Sequence, residues 1–182
     1  MALAGTVTIR DRKIRRTMRA KIARLAMTPG PLMAAWLMKS EPDAYSIDDL
    51  ERDQREPWDG IRNYQARNMM RDDMVIGDDV FFYHSNCKEP GIVGLAKIAS
   101  DVYPDPTQFD PDSKYYDAKS DPENPRWLLR DVEFVRRLDR TITLAELKAQ
   151  TGLDGFVLLR KGNRLSIMPV DKKHWNRILK LE

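Results

Sequence analysis

Val80-Phe81-Phe82-Tyr83-His84-Ser85-Asn86-Cys87-Lys88-Glu89-Pro90-Gly91-Ile92-Val93-Gly94 reads as two strands joined by a polar turn, and the rest of the chain is organised around it. A strand alternates its side chains, so Val80, Phe82 and His84 face one side and Phe81, Tyr83 and Ser85 the other. The first strand passes from apolar to hydrogen-bonding residues, breaks at Pro90-Gly91, and a second strand runs out through Ile92 to Ala96. Rings and mixed donors and acceptors at one sheet edge suit a pocket for a flat polar ligand. The same residues also suit a plain hairpin with a polar turn.

Working outward, the chain has 182 residues and a 42% hydrophobic share, which is one domain, with or without a tail, and enough for a core. No apolar run has the length of a membrane-spanning helix. A single cysteine, Cys87, leaves no internal disulfide framework and fits a reducing compartment. With only two histidines beside it, soft ligands for a structural zinc are scarce. The formal charge of +3 is unevenly spread. Residues 1–32 carry six Arg and two Lys against one Asp, which leaves residues 33–182 at −4. Nucleic-acid contact by the folded part must therefore rest on local cations. The basic segment reads as a disordered tail, a phosphate-binding or targeting segment, or an extension upstream of a start at Met33.

Before the central stretch, Ala34 to Lys39 is a first strand that stops at Pro42. Ser46 and Asp49 frame a short helix as a capping box. In Trp58-Asp59-Gly60-Ile61-Arg62-Asn63-Tyr64-Gln65-Ala66-Arg67-Asn68-Met69-Met70-Arg71, Gly60 permits a tight turn and a helix follows from Asn63, with Ala66, Met69 and Met70 inward. After it, the second strand continues past Ile98 towards Tyr103. Residues 104–125 form a long Pro-rich loop, a class that is commonly functional or mobile. A strand is expected from Arg130. Thr143 and Glu146 are expected to cap a helix that Gly152 ends. Residues 155–160 and 165–170 read as a hairpin, and a last helix from Asp171 buries Trp175, Ile178 and Leu179. Many strands with few short helices predict an α+β fold with a curved sheet or small barrel.

Three blocks, Trp36-Leu37-Met38-Lys39-Ser40-Glu41-Pro42, Trp58 to Asn68, and Phe81 to Cys87, appear in an order that resembles the EVE-domain family. The resemblance spans residues 34–181 and leaves the basic segment outside, which favours the upstream-extension reading. It implies a PUA-like small mixed β-barrel with flanking short helices, related to YTH domains. It implies a non-catalytic reader of modified nucleobases: methylated or hydroxymethylated cytosine in DNA, or a modified base in RNA. It implies no catalytic residues and no cofactor. Such a protein is expected in the cytoplasm, where it can associate with the nucleoid, or in the nucleus of a eukaryote.

Reading one base requires taking it out of the stack, stacking on it and bonding its edge. Trp58 and Tyr64 are expected to wall the pocket, with Tyr83; Trp36 is either a further wall or a core residue. Ser40, Asn63, Ser85 and Asn86 can both donate and accept at a base edge. Glu41 or Asp59 can accept from an exocyclic amine such as that of cytosine. His84 belongs to the same block and reads more readily as a hydrogen-bonded structural histidine. Lys39, Arg62 and Lys88 are expected to meet flanking phosphates. Two other functions fit parts of the sequence. Cys87 with His84 is a nucleophile–base pair by residue type, although closeness in sequence is weak evidence for one. The loop 104–125 could serve a protein-interaction module.

Overall fold

The computed structural model describes residues 34–182, so the open readings of the basic segment 1–32 lie outside the described residues. Strand β3 (Asp79–His84) is buried from Val80 to Tyr83 because both of its faces are covered there. Val80 and Phe82 pack into one cluster with Trp36, Met38, Trp58 and Met70. Phe81 and Tyr83 enter another with Leu37, Ile92, Phe156 and Ile178. Full burial of each phenylalanine stabilises by roughly 1.5–3 kcal/mol.

Strand β1 (Ala35–Ser40) lies parallel to β3, with Trp36 opposite Val80 and Ser40 opposite His84. The parallel pairing brings the polar ends of both strands to one edge of the sheet. On the other side, β4 (Gly91–Ile98) runs antiparallel to β3. With β2 (Arg55–Pro57), β7 (Asp131–Thr143) and β8 (Ile167–Pro169), the order of the six-stranded sheet is β2-β7-β4-β3-β1-β8. β5 (Tyr103–Pro104) and β6 (Leu128–Leu129) make a separate two-stranded ribbon. The sheet curls into a half-barrel. Its end strands β2 and β8 are three residues long and each finishes on a proline, which removes a ladder donor and discourages closure or further pairing.

Helix α1 (Ile47–Asp53) opens with the capping box expected of Ser46 and Asp49: the Ser46 hydroxyl accepts from the Asp49 N–H, and the Asp49 carboxylate accepts the Ser46 N–H. Helix α2 (Tyr64–Asn68) begins after Asn63 and runs on as a π turn over Met69–Asp73. Helices α3 (Leu144–Ala149) and α4 (Lys172–Ile178) follow. On α4, Trp175 stacks on Phe81 with centroids 3.8 Å apart. No described helix is long and apolar enough to cross a membrane.

Four local expectations need correction. β4 stops at Ile98; Tyr103 pairs instead with Leu129 in the ribbon. α3 ends at Ala149, where Gln150 turns extended, before Gly152 is reached. Thr143 does cap it, but the Glu146 carboxylate binds Arg140 instead of closing the box. Residues 155–165 form no hairpin arm. Val157–Leu159 is a 3-10 turn, and the Asn163 amide ties the Val157 carbonyl to the Leu165 N–H, so only Ile167–Pro169 joins the sheet, against β1.

The long loop is held by hydrogen bonds to buried side chains. Gln108, fully buried, donates to the Asp105 and Trp127 carbonyls and accepts from Ser120, the Arg126 N–H and the Trp127 N–H. The Trp127 indole donates to Asp117. A buried polar side chain with its bonding capacity filled specifies one conformation of the segment around it.

Candidate functional site

At the edge where β1 and β3 end, a cavity of about 630 Å³ opens between the turn 56–62, the loop 113–115 and the segment 164–166. Its size falls within the range of small-molecule sites. Lys39, Ser40, Glu41, Trp58, Asp59, Arg62 and Ser85, all singled out in the sequence, line it. Tyr45, Glu56, Lys114, Tyr115, Arg164 and Ser166 line it too and were not anticipated.

The turn is shaped by Gly60. Its φ of +72° is open to glycine, and a Cβ there would sit 2.5 Å from the Tyr115 ring. That close approach lets the loop lay Tyr115 beside the cavity. Asp105 fastens the two together: fully buried, it accepts from the Gly60 N–H at 3.0 Å, from Arg62 at 2.7 Å and from the Thr107 N–H and hydroxyl. Burial pushes its carboxyl up, but the bonds from Arg62, Thr107 and Gly60 outweigh it and hold the group below its ordinary value.

Arg62 lines the cavity, but its guanidinium is already engaged by the protein, contrary to the expectation of a free phosphate contact. Its guanidinium donates to Asp105, Thr107 Oγ1 and the Tyr115 and Ile61 carbonyls. Among the described residues, the other cations that line the cavity are Lys39, Lys114 and Arg164. Burial lowers the Lys39 pKa, and the Lys114 ammonium lies 4.9 Å from the Tyr115 ring centroid. Opposite them stand Glu41, Glu56 and Asp59. Burial and then neighbouring carboxylates raise the pKa of Glu56 and Asp59, with Asp53 the first such neighbour for Glu56 and Asp105 for Asp59. The Ser40 hydroxyl donates to the Tyr45 carbonyl and the Ser85 hydroxyl to the Ser40 carbonyl, so towards a ligand both act as acceptors. Trp58 is only 7% exposed and meets Phe82 edge-on at 5.4 Å. It therefore floors the cavity instead of walling it. Its indole N–H has no partner among the described residues, and none of their sealed side-chain nitrogens and oxygens lacks one.

Several expected residues lie elsewhere. Trp36 is core, its indole donating to the buried Asp78 at 2.9 Å. Tyr83 points into the cluster on the far face of the sheet from Trp58, and burial raises its pKa to about 12. The Asn63 side chain caps α2 by accepting from the Ala66 N–H. Tyr64 stacks on Trp127 outside the cavity. Asn86 takes the left-handed turn conformation at φ +52°, and like Lys88 it is exposed and away from the lining.

His84 Nε2 accepts the Ile47 N–H, one of the unpaired donors at the start of α1. No hydrogen bond joins it to Cys87 among the described residues. Burial lowers the His84 pKa below its ordinary 6.5, so the folded state resists protonation. Stability from this contact is present above pH 6.5 and falls as pH drops through the lowered folded value. His84→Gln is expected to flatten that part of a stability–pH profile read by urea unfolding between pH 5 and 8 (approximate limits). An unchanged slope would place the proton uptake elsewhere.

The description "EVE domain" matches residues 34–181. Human thymocyte nuclear protein 1 is 46% identical over 170 residues, covering 83% of this chain and 75% of that protein. A crystal structure from Pseudomonas syringae is similar at 52% identity and a TM-score of 0.79, covering 81% of this chain and 99% of that one. A crystal structure of human THYN1 protein in complex with 5-methylcytosine-containing DNA is similar at 45% identity and a TM-score of 0.77, covering 81% and 96%.

Proposed function

This chain belongs to the EVE-domain family, and from that premise we propose that its cavity holds one modified cytosine lifted out of a nucleic-acid strand, without catalysis. The observation that carries the reading is the cavity's composition. A ring (Tyr115), an indole donor (Trp58), hydroxyl acceptors (Ser40, Ser85) and carboxylates (Glu41, Asp59) border one space of about 630 Å³. Cytosine presents an exocyclic amine donor beside ring-nitrogen and carbonyl acceptors. A carboxylate suits the amine, the indole N–H suits an acceptor, and the phenol ring suits the face of the heterocycle. The related human THYN1 protein bound to 5-methylcytosine-containing DNA supports the same ligand class.

The hydrolase alternative lacks its base, since the lone pair on His84 Nε2 is engaged by Ile47. The loop 104–125 serves the cavity through Asp105, Lys114 and Tyr115, which weakens the case for an independent protein-docking module. A reader of this kind works where its polymer is, in the cytoplasm or on the nucleoid, or in a eukaryotic nucleus.

The test is binding of the full chain to single-stranded oligonucleotides that differ only in one cytosine: unmodified, 5-methyl or 5-hydroxymethyl. Tighter binding to a modified strand is expected. Among the described residues three unpaired cations line the cavity, so their share of the fall of log K with log salt is a slope of about −2. Equal affinity for all three strands would sink the reading. A much steeper slope would mean that phosphates, not a base, dominate the contact.

A further inference from the structure

Tyr64 stands outside the cavity with 52% of its surface exposed, yet an unbroken series of stacked groups joins it to the cavity wall. The Arg67 guanidinium lies 4.9 Å from the Tyr64 centroid, and Tyr64 stacks on Trp127 at 4.8 Å. The Arg62 guanidinium lies 5.5 Å from the Trp127 ring and 5.4 Å from Tyr115, with Lys114 on Tyr115 at 4.9 Å. Tyr115 and Lys114 line the cavity; Tyr64 and Arg67 form the outer end. An isolated exposed ring is ordinary. This one is held in place from several sides. Asn63 caps the helix on whose first residue Tyr64 sits. Arg67 is braced by the Arg126 carbonyl and by Asn68.

A base drawn into the cavity loses its stacking neighbours, and those neighbours lose it. Aromatic rings and guanidinium planes are the groups that restack an unpaired base without reading its sequence. We propose that the Tyr64–Arg67 pair is a second stacking platform, taking the base next to the one held in the cavity. This rests on the base-reading function above and extends it from a nucleoside pocket to a site for at least two successive nucleotides. Asn63 is then a positioning residue: it reads nothing and fixes the start of α2.

Two probes separate the platform from the cavity: the nucleoside 5-methyl-2′-deoxycytidine and a trinucleotide with 5-methylcytosine at its centre. The full-length wild type is expected to bind the trinucleotide more tightly than the nucleoside. Tyr64→Ala should weaken the trinucleotide about tenfold or more and leave the nucleoside unchanged, while Tyr64→Phe keeps the wild-type pattern. The melting temperature of each variant is read alongside. If Tyr64→Ala leaves the trinucleotide untouched, Tyr64 meets no base, and if it weakens both probes alike, Tyr64 only props the cavity wall through Trp127 and Arg62; either result overturns the platform while the cavity reading stands. If the wild type binds neither probe, the cavity reading fails and the platform with it.

Discussion

Asp105→Ala is expected to lower stability by about 3–5 kcal/mol and to abolish base binding, because it leaves a guanidinium buried without its counter-charge. Asp105 is fully buried and Arg62 is only 21% exposed at its side chain. Removing the carboxylate also frees the Gly60 and Thr107 N–H groups that it accepts, and unpaired buried donors add to the loss. The wall holding Tyr115 would lose its fastening to the turn that holds Trp58. Asp105→Asn should fall between the two, since an amide keeps the shape but turns one donor towards donors. The folded-state pKa of Asp105 is depressed, so its contribution is present above the ordinary value of 3.8 and is lost as pH falls through the folded value. Urea unfolding at pH 7 should show the full gap between wild type and variant, and the gap should narrow near pH 3 (approximate settings). A gap of the same size at both would mean that the carboxylate charge contributes nothing.

The central strand was legible in the sequence because its pattern has one physical cause. A strand apolar on both faces must be covered on both, and Phe81 and Phe82 enter opposite clusters. The Ser46–Asp49 cap and the Gly60 turn were legible for the same reason: each is settled within a few residues of itself. The cavity was half legible. Ser40, Glu41, Trp58, Asp59 and Ser85 converge because parallel pairing of β1 and β3 brings their ends together beside the turn. Tyr115 was hidden, since what places it is contact with Gly60 across a long stretch of chain, and two tyrosines in an acidic loop carry no local sign of that. Arg62 was misassigned because a donor-rich side chain looks alike whether its partner is a ligand or Asp105, 43 residues away, whereas Asn63 is an acceptor used locally, capping α2 through the Ala66 N–H three residues on. Tyr83 was a recoverable error. Alternation already set it on the face opposite Phe82, and Phe82 is what Trp58 packs against.

That contact sets the second large effect. Trp58→Ala should cost about 3–5 kcal/mol, as removal of a large buried ring does, and should take base binding with it by collapsing the floor. Because instability alone would explain the lost binding, the informative variant is Trp58→Phe. A phenyl ring refills much of the volume and can keep the edge-on contact with Phe82, so the stability loss should stay near about 1–2 kcal/mol. What it removes is the indole N–H, which has no partner among the described residues. If that donor bonds an acceptor on the base edge, Trp58→Phe should weaken 5-methyl-2′-deoxycytidine about tenfold, the effect of leaving one acceptor unpaired in a closed site. The variant should bind other nucleosides as poorly as before, so discrimination shrinks along with affinity. Calorimetric titration beside urea unfolding separates the two effects. Unchanged nucleoside affinity in a folded Trp58→Phe protein would make Trp58 a packing residue only and shift the donor role to another cavity group, with Lys39 and Arg164 the first to examine.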